Sequence, residues 1–259
     1  MTGTPMNELT VNVGDDHIAV VEFDRAPDNY IDVDLARGIA DAIQALDDDL
    51  GCRAIVLRSV GRHFCAGARL SPAADDLPSD AGNPLYDQVA RMFTGSVPII
   101  AVVQGAAIGA GLGLALAADF RVASPDARFG ATFARLGFHQ GFGLTVTLPR
   151  AVGEQRATEM LYTGERITGD EAYRIGLCDR LVDHDQLAAA ARELAAAIAG
   201  SAPLAVRAIR RTMRGSLDDE VRAATSVEHA AQQFLRRTDD YLEGVAAMAE
   251  RRPPNFTGA

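Results

Sequence analysis

The chain has 259 residues, 48% of them hydrophobic, enough to bury a full core in one main α/β domain with an appendage. Its 25 Lys and Arg against 35 Asp and Glu leave a formal charge of −10, which argues against a broad basic face for nucleic acid or anionic lipid. Cys52, Cys65 and Cys178 form no CxxC pair, and neither a signal peptide nor an unbroken run of about 18 apolar residues is present, so a cytoplasmic protein without disulfides, zinc or a membrane span is expected.

In chain order, Leu9–Val13 and Ile18–Phe23 alternate around the turn Gly14-Asp15-Asp16 and predict a hairpin. Asp34–Asp48 carries Leu35, Ile39, Ala42, Ile43 and Leu46 at helical spacing, the stripe of a helix lying on a sheet. Ala54–Arg58 and Pro98–Val103 read as buried strands, Leu85–Phe93 and Gly109–Asp119 as helices. Strand, helix, strand, helix, strand is the rhythm of an α/β fold with mostly parallel pairing. From Gly153 the chain turns helical: Thr168-Gly169-Asp170-Glu171 starts one helix, Asp185–Ala199 forms another, and Pro203 opens a last helical region broken near Gly215 that runs to about Glu250. A boundary near Gly200 divides a core, residues 1–200, from a C-terminal helical region, residues 201–259. The basic groups Arg207, Arg210, Arg211, Arg214 and Arg236, Arg237, Arg251, Arg252 read mostly as solvated helix faces.

Two strands run into small-residue turns, IVLRSVGRHFCAGARL and PIIAVVQGAAIGAGLGLALAADF. Glycine and alanine let backbone approach a ligand closely, and a helix N-terminus offers unpaired N–H groups with partial positive charge. Two such turns facing each other can hold one oxygen between main-chain amides, an oxyanion hole. The alternatives are tight helix-to-strand packing, or a dinucleotide fingerprint. The second fails because G-x-G-x-x-G started at Gly109 needs glycine where Leu114 stands.

Through HFCAGARL, QGAAIGAGLGLALAADFRVAS, LPRAVGEQRATEMLYTGERITGDEAYRIGLCDRLV and the tail EGVAAMAERRPPNFTG, nearly the whole chain resembles the crotonase superfamily of enoyl-CoA hydratases and isomerases. The resemblance implies a ββα superhelical core, a C-terminal helical region that assembles a homotrimer or a hexamer of two trimers, and a coenzyme A thioester substrate with no separate cofactor and no metal. Carried over, the thioester oxygen would be held by the amides of Ala68, after Ala66-Gly67, and of Ala110, between Gly109 and Gly111. The adenine end of coenzyme A would lie against Arg25-Ala26-Pro27-Asp28-Asn29 and the backbone of Cys65 and Ala66, and Arg251 would reach a phosphate through its planar fork. The tail stripe Val221, Ala224, Val227, Ala231, Phe234 and Leu235 would be buried against core and neighbouring subunits.

A hydratase of this family uses two glutamates. The matching positions here are Gly113 and Phe133, and the place where other members carry an aspartate is Gly141. None of these moves a proton, so ordinary addition of water by a paired acid and base is not expected. The remaining candidates are His139, whose imidazole suits acid–base work near neutral pH, and Tyr86, at a helix position from which a relative supplies a histidine to the acyl group. Gln140 is a candidate for positioning a polar substituent, and Phe133 for the acyl pocket. Arg69 stands where the family often has an acid, with Asp75 or Asp76 as its expected partner. Cys65 invites a nucleophile reading, but no base stands beside it and packing fits better. Asp119 and Asp126 read as structural. Two functions therefore stay open: an enzyme acting on an acyl-CoA by enolate or oxyanion stabilisation, through isomerisation, hydrolysis or an unusual hydration, and a non-catalytic acyl-CoA-binding protein.

Overall fold

The alternating strands sort their side chains between two cores. Ile18 and Val20, Ala54 and Val56, Ile100 and Val102 face one side of a sheet, while Ala19, Val21 and Phe23, Ile55 and Leu57, Ile99, Ala101 and Val103 face the other. The computed structural model describes residues 8–68 and 83–259, so Arg69, Asp75 and Asp76 lie outside the described residues. Six strands make the large sheet, in the order β1 (Leu9–Val13), β2 (Ile18–Phe23), β3 (Ala54–Ser59), β4 (Ile99–Val103), β6 (Phe120–Ala123), β9 (Arg180–Leu181). Only β1 pairs antiparallel; the rest of this sheet is parallel, as the element rhythm predicts.

Helix α1 (Val33–Asp48) buries all five residues of the predicted stripe, and the Asp32 carboxylate caps it by accepting from the Leu35 amide at 3.0 Å. Helix α2 (Pro84–Arg91) packs beside α1. Opposite, α7 (Leu187–Ala199) seats Leu187, Ala191, Ala195 and Ala199 on β3 and β4. Each large aliphatic side chain removed from water in this way contributes roughly 1.5–3 kcal/mol.

A second, small sheet is not visible in the sequence pattern. At Gly105, with φ of +59°, the chain leaves β4 and starts β5 (Ala106–Ile108), which pairs with β7 (Arg128–Gly130) and through it with β8 (Arg166–Thr168). A Cβ at Gly105 would run into the carbonyl of Arg62, so glycine is required twice over there. The loop after β7 also holds a short 3-10 turn (Ala134–Leu136) and is followed by α4 (Leu144–Val152), α5 (Glu154–Thr163) and α6 (Gly169–Arg174), the last capped by Thr168 as expected.

The C-terminal helices are α8 (Pro203–Arg214), α9 (Leu217–Leu235) and α10 (Asp239–Glu250); α8 leaves α7 at 105°. A second break, at Thr238, adds to the one expected near Gly215, because the Thr238 hydroxyl starts a new helix by accepting from Tyr241 N. The solvated-face reading of α8 needs correction. Arg207 and Arg210 are buried and Arg214 is nearly so, one helical face of cations turned inward. Arg207 donates to the carbonyls of Asp47, Asp49 and Cys52, while Arg210 and Arg214 grip Asp119 at 2.8 and 2.9 Å. Asp119 also accepts from Ile99 N at 2.8 Å, so it ties α8 to the start of β4, the structural role its sequence context suggests. The apolar residues of α8, Leu204, Ile209 and Met213, face outward instead.

The α9 stripe is divided in the single chain. Val221 and Ala224 are buried, but they share their face with Thr225, Glu228 and Gln232, whereas Val227 and Phe234 are about 70% exposed in the single chain.

Burial alone would push the Asp119 carboxyl up, but the Arg214 and Arg210 charges and its hydrogen bonds hold it below the ordinary aspartate range. A depressed folded value means a stabilising contribution that is complete above about pH 4, the unfolded value, and is lost as pH falls through the folded one. Asp119→Asn is therefore expected to lower the melting temperature at neutral pH by several degrees and to flatten the acid limb of a stability-versus-pH curve. Parallel acid limbs in the two proteins would contradict this.

Among the described residues no single helix is long and apolar enough to cross a membrane.

Candidate active site

Two glycines in left-handed backbone set the centre of the site. Gly67 has φ of +125° and precedes Ala68; Gly109 has φ of +56° and precedes Ala110, the first residue of α3 (Ala110–Ala117). An L-residue is strained in either place. The two bends are stitched together by backbone: Cys65 N donates to Ala106 O at 2.9 Å and Ile108 N to Cys65 O at 3.1 Å. Every residue of α3 is buried, and a side chain at Gly111 would collide with the Cys65 carbonyl, so small residues here bring the α3 N-terminus directly against the first bend. Among the described residues, neither Ala68 N nor Ala110 N donates to a protein acceptor. Both residues, with Ala66, Gly67 and Gly109, line one cavity of about 1580 Å³.

One end of that cavity is aromatic, lined by Tyr86, Phe133, Phe138 and Phe142 together with Gly141, Gln232 and Arg236. The positions that match family carboxylates are filled by this cluster. A Cβ at Gly113 would lie 2.6 Å from Cβ and Cδ1 of Phe142, whose own φ of +64° is a costly conformation for a phenylalanine. A Cβ at Gly141 would meet the Tyr86 hydroxyl and lie 2.7 Å from Gln232 Nε2. The Phe133 ring stands beside Gly109.

Tyr86 O–H donates to Gln232 Oε1 at 2.8 Å, and Gln232 Nε2 in turn donates to the carbonyls of His139 and Gln140 at 3.0 and 3.2 Å. Burial, with the Glu228 carboxylate second, pushes the phenol well above its usual value, so Tyr86 stays protonated and serves as a polar group rather than a base. Glu228 itself is fully buried and spent on the start of α4: it accepts from Gly143 N at 2.9 Å, Thr145 N at 3.0 Å and Thr145 Oγ1 at 2.7 Å.

His139 and Gln140 are not brought to the cavity wall. His139 Nδ1 lies 2.8 Å from the Gln140 carbonyl, and the Gln140 amide donates to Thr145 Oγ1 at 3.2 Å, so both side chains serve the loop. Cys65 sits behind the wall with its thiol donating to Gly67 O at 3.6 Å; burial pushes it up to about 12, which leaves no thiolate at neutral pH. Arg25 and Ala26 do not line the cavity either. The Arg25 guanidinium is paired with Glu8 at 2.6 Å and Asp32 at 2.5 Å, although its loop does abut the first bend through Ala66 N donating to Asp28 O. Arg251 is the exposed cap residue of α10 and also stands off the wall.

The rest of the wall holds groups that motif reading passed over: Arg62, His63, Arg128, Arg166 and His184, against Asp32 and Asp126. This end is predominantly basic in a chain of net charge −10. His63 opens HFCAGA and Arg62 adjoins it, so a recognised motif was the one available signal; the others gather only through the small sheet and the turn before α7.

The sequence pattern of the enoyl-CoA hydratase/isomerase family matches residues 14–259. A crotonyl-CoA hydratase of Syntrophomonas wolfei is 34% identical over 88% of this chain and 89% of its own length. A carnitinyl-CoA dehydratase of Proteus mirabilis is 34% identical over 91% of this chain and 93% of its own. Among solved structures, an enoyl-CoA hydratase/isomerase from Pseudoalteromonas atlantica superposes with a TM-score of 0.86 at 28% identity, covering 97% of this chain and 100% of that one. The fold is the mixed α/β fold of the crotonase superfamily, and the chain belongs to the enoyl-CoA hydratase/isomerase family.

Proposed function

We propose that the protein binds an acyl-CoA thioester and polarises its carbonyl between the amides of Ala68 and Ala110, as an enzyme that stabilises an enolate or tetrahedral oxyanion. The observation that carries this reading is the pair of left-handed glycines, Gly67 and Gly109, each preceding an alanine whose amide lacks a protein acceptor and lines the cavity. Pre-aimed donors of this kind stabilise charge as it develops and need no reorganisation. The basic end, with Arg62, Arg128 and Arg166, suits the phosphates of coenzyme A, and the aromatic end suits the acyl group. Coenzyme A enters as part of the substrate; no separate cofactor is invoked.

Hydration by two carboxylates does not fit this acyl end. Among the described residues its wall offers no carboxylate and no imidazole; its polar groups are the Tyr86 hydroxyl, held by Gln232, and the Arg236 guanidinium. The reaction proposed is therefore one that needs oxyanion stabilisation first and a single polar hydroxyl at most. The alternative, an acyl-CoA-binding protein without turnover, is favoured by the same packing of Phe142 over Gly113.

The outward apolar face of α8 and the exposed Val227 and Phe234 of α9 support assembly into a homotrimer or a pair of trimers. Three buried free thiols suit a reducing, cytoplasmic setting.

Turnover of an acyl-CoA panel by wild type and His139→Ala, with calorimetry beside it, tests the reading. Product formation, changed less than about threefold by the substitution, is expected because this side chain is off the wall. Tight binding without product would favour the binding protein, and a loss of 100-fold or so, on the scale of a removed general base, would return His139 to the chemistry.

A further inference from the structure

Most of the described arginines are satisfied by carboxylates or carbonyls; Arg25, Arg91, Arg121, Arg150, Arg156, Arg207, Arg210 and Arg214 all have such partners. Arg236, like Arg62 and Arg166 on the same wall, has none among the described residues, and what sets it apart is its seat on two aromatic rings. Its guanidinium lies over the Phe138 ring at 5.1 Å and the Tyr241 ring at 5.9 Å, and among the described residues it has no carboxylate partner. As the cap residue of α9 its charge suits the helix C-terminus, but nothing in that role calls for a place on the cavity wall, where it stands at the aromatic end with Gln232, Phe138 and Gly141. The rings hold the cation in position without neutralising it.

No carboxylate at this end of the cavity wall pairs with Arg236, and of the two aspartates in the first turn of α10, Asp240 accepts from the amides of Thr257 and Gly258. The Glu228 carboxylate is consumed by the start of α4, and the positions of family carboxylates are Gly113, Phe133 and Gly141. The charge is felt locally: after burial, Arg236 is the second cause that holds the His229 imidazole below its ordinary value. The Tyr241 ring under the guanidinium is buried and lies behind the cavity wall, so it seats the cation without offering it a counter-charge. A partly desolvated arginine with a planar donor fork matches a carboxylate far better than an apolar chain end.

We infer that Arg236 determines acyl specificity, selecting thioesters whose acyl group carries a carboxylate remote from the sulfur. This rests on the acyl-CoA reading and narrows it to dicarboxylic acyl groups. The neutral polar groups of this end, Tyr86 and Gln232, tolerate such a group, and the Phe138 and Tyr241 rings cover part of the guanidinium, which weakens screening of the pair.

The test is calorimetric, on the full chain, with matched linear acyl-CoAs: glutaryl against pentanoyl and adipoyl against hexanoyl, on wild type, Arg236→Met and Arg236→Lys. Wild type is expected to prefer at least one dicarboxylic member by about tenfold or more, the scale of a charge-assisted hydrogen bond. Arg236→Met should abolish the preference while leaving the neutral ligands within about twofold, and Arg236→Lys should retain part of it. Equal or better binding of the neutral ligands by wild type overturns the inference and leaves the acyl-CoA reading standing. An equal loss for both ligand classes in Arg236→Met makes the residue structural and also overturns it. If wild type binds none of the four, the acyl-CoA reading itself falls. Should Arg236→Met fail to fold, the wild-type preference and its retention in Arg236→Lys decide the matter.

Discussion

Replacing Ala110 with proline is expected to lower turnover of a productive acyl-CoA by roughly 10²–10³-fold, the cost of removing one oxyanion donor, while leaving the fold intact. Proline removes the amide hydrogen, and the first position of a helix is where a missing N–H is best tolerated, since none of the first four amides has a partner within the helix. Ala110 is that first residue in α3, and Gly109 before it, at φ +56° and ψ −117°, is already outside the α region that proline disfavours in its predecessor. The measurement is kcat/KM beside a melting curve. A variant that melts within a few degrees of wild type and turns over as fast would remove Ala110 from the mechanism. One that fails to fold leaves the question to Ala68, the other donor, where the same loss of turnover is expected on blocking the amide.

Restoring the family carboxylate at one position should fail. Gly113→Glu is expected to destabilise the protein by about 3 kcal/mol or more, combining overpacking with a buried unpaired charge, and to confer no hydration of crotonyl-CoA. The new Cβ has no room, because the Phe142 side chain stands 2.6 Å from it, and that phenylalanine is fixed in left-handed backbone with 1% of its surface exposed. Denaturant titration and an ordinary hydratase assay check both halves. A stable variant with hydratase activity would mean that Phe142 yields easily and that the acyl end is an ordinary hydratase site lacking one group.

Much of the fold was legible because its signals are local and periodic. The stripe of α1 predicts its burial residue by residue, and the alternation of β1 and β2 predicts their hairpin, although β1, at the sheet edge, is exposed along most of its length. The small sheet was not, since β5, β7 and β8 are three-residue strands too short to show a period. The inward face of α8 was misjudged for another reason: Arg207, Arg210 and Arg214 read as surface until Asp47 and Asp119, far away in sequence, are brought under them. At the site, glycine followed by alanine marked both bends, and the bends do meet on one cavity. The proton-handling candidates were a different matter. His139 sits among glycines in a loop, and nothing local tells a ring turned to its neighbour's carbonyl from one turned to a ligand. Gln232 stands 146 residues after Tyr86, with Arg236 one turn further on, and only tertiary packing puts them beside it.

The most direct measurement of the central claim is the infrared spectrum of a bound acyl-CoA labelled with carbon-13 at the thioester carbonyl. If the amides of Ala68 and Ala110 both donate to that oxygen, the carbonyl band moves to lower frequency on binding, and the shift shrinks in Ala110→Pro. A bound ligand whose labelled carbonyl absorbs where it does in water would contradict the account.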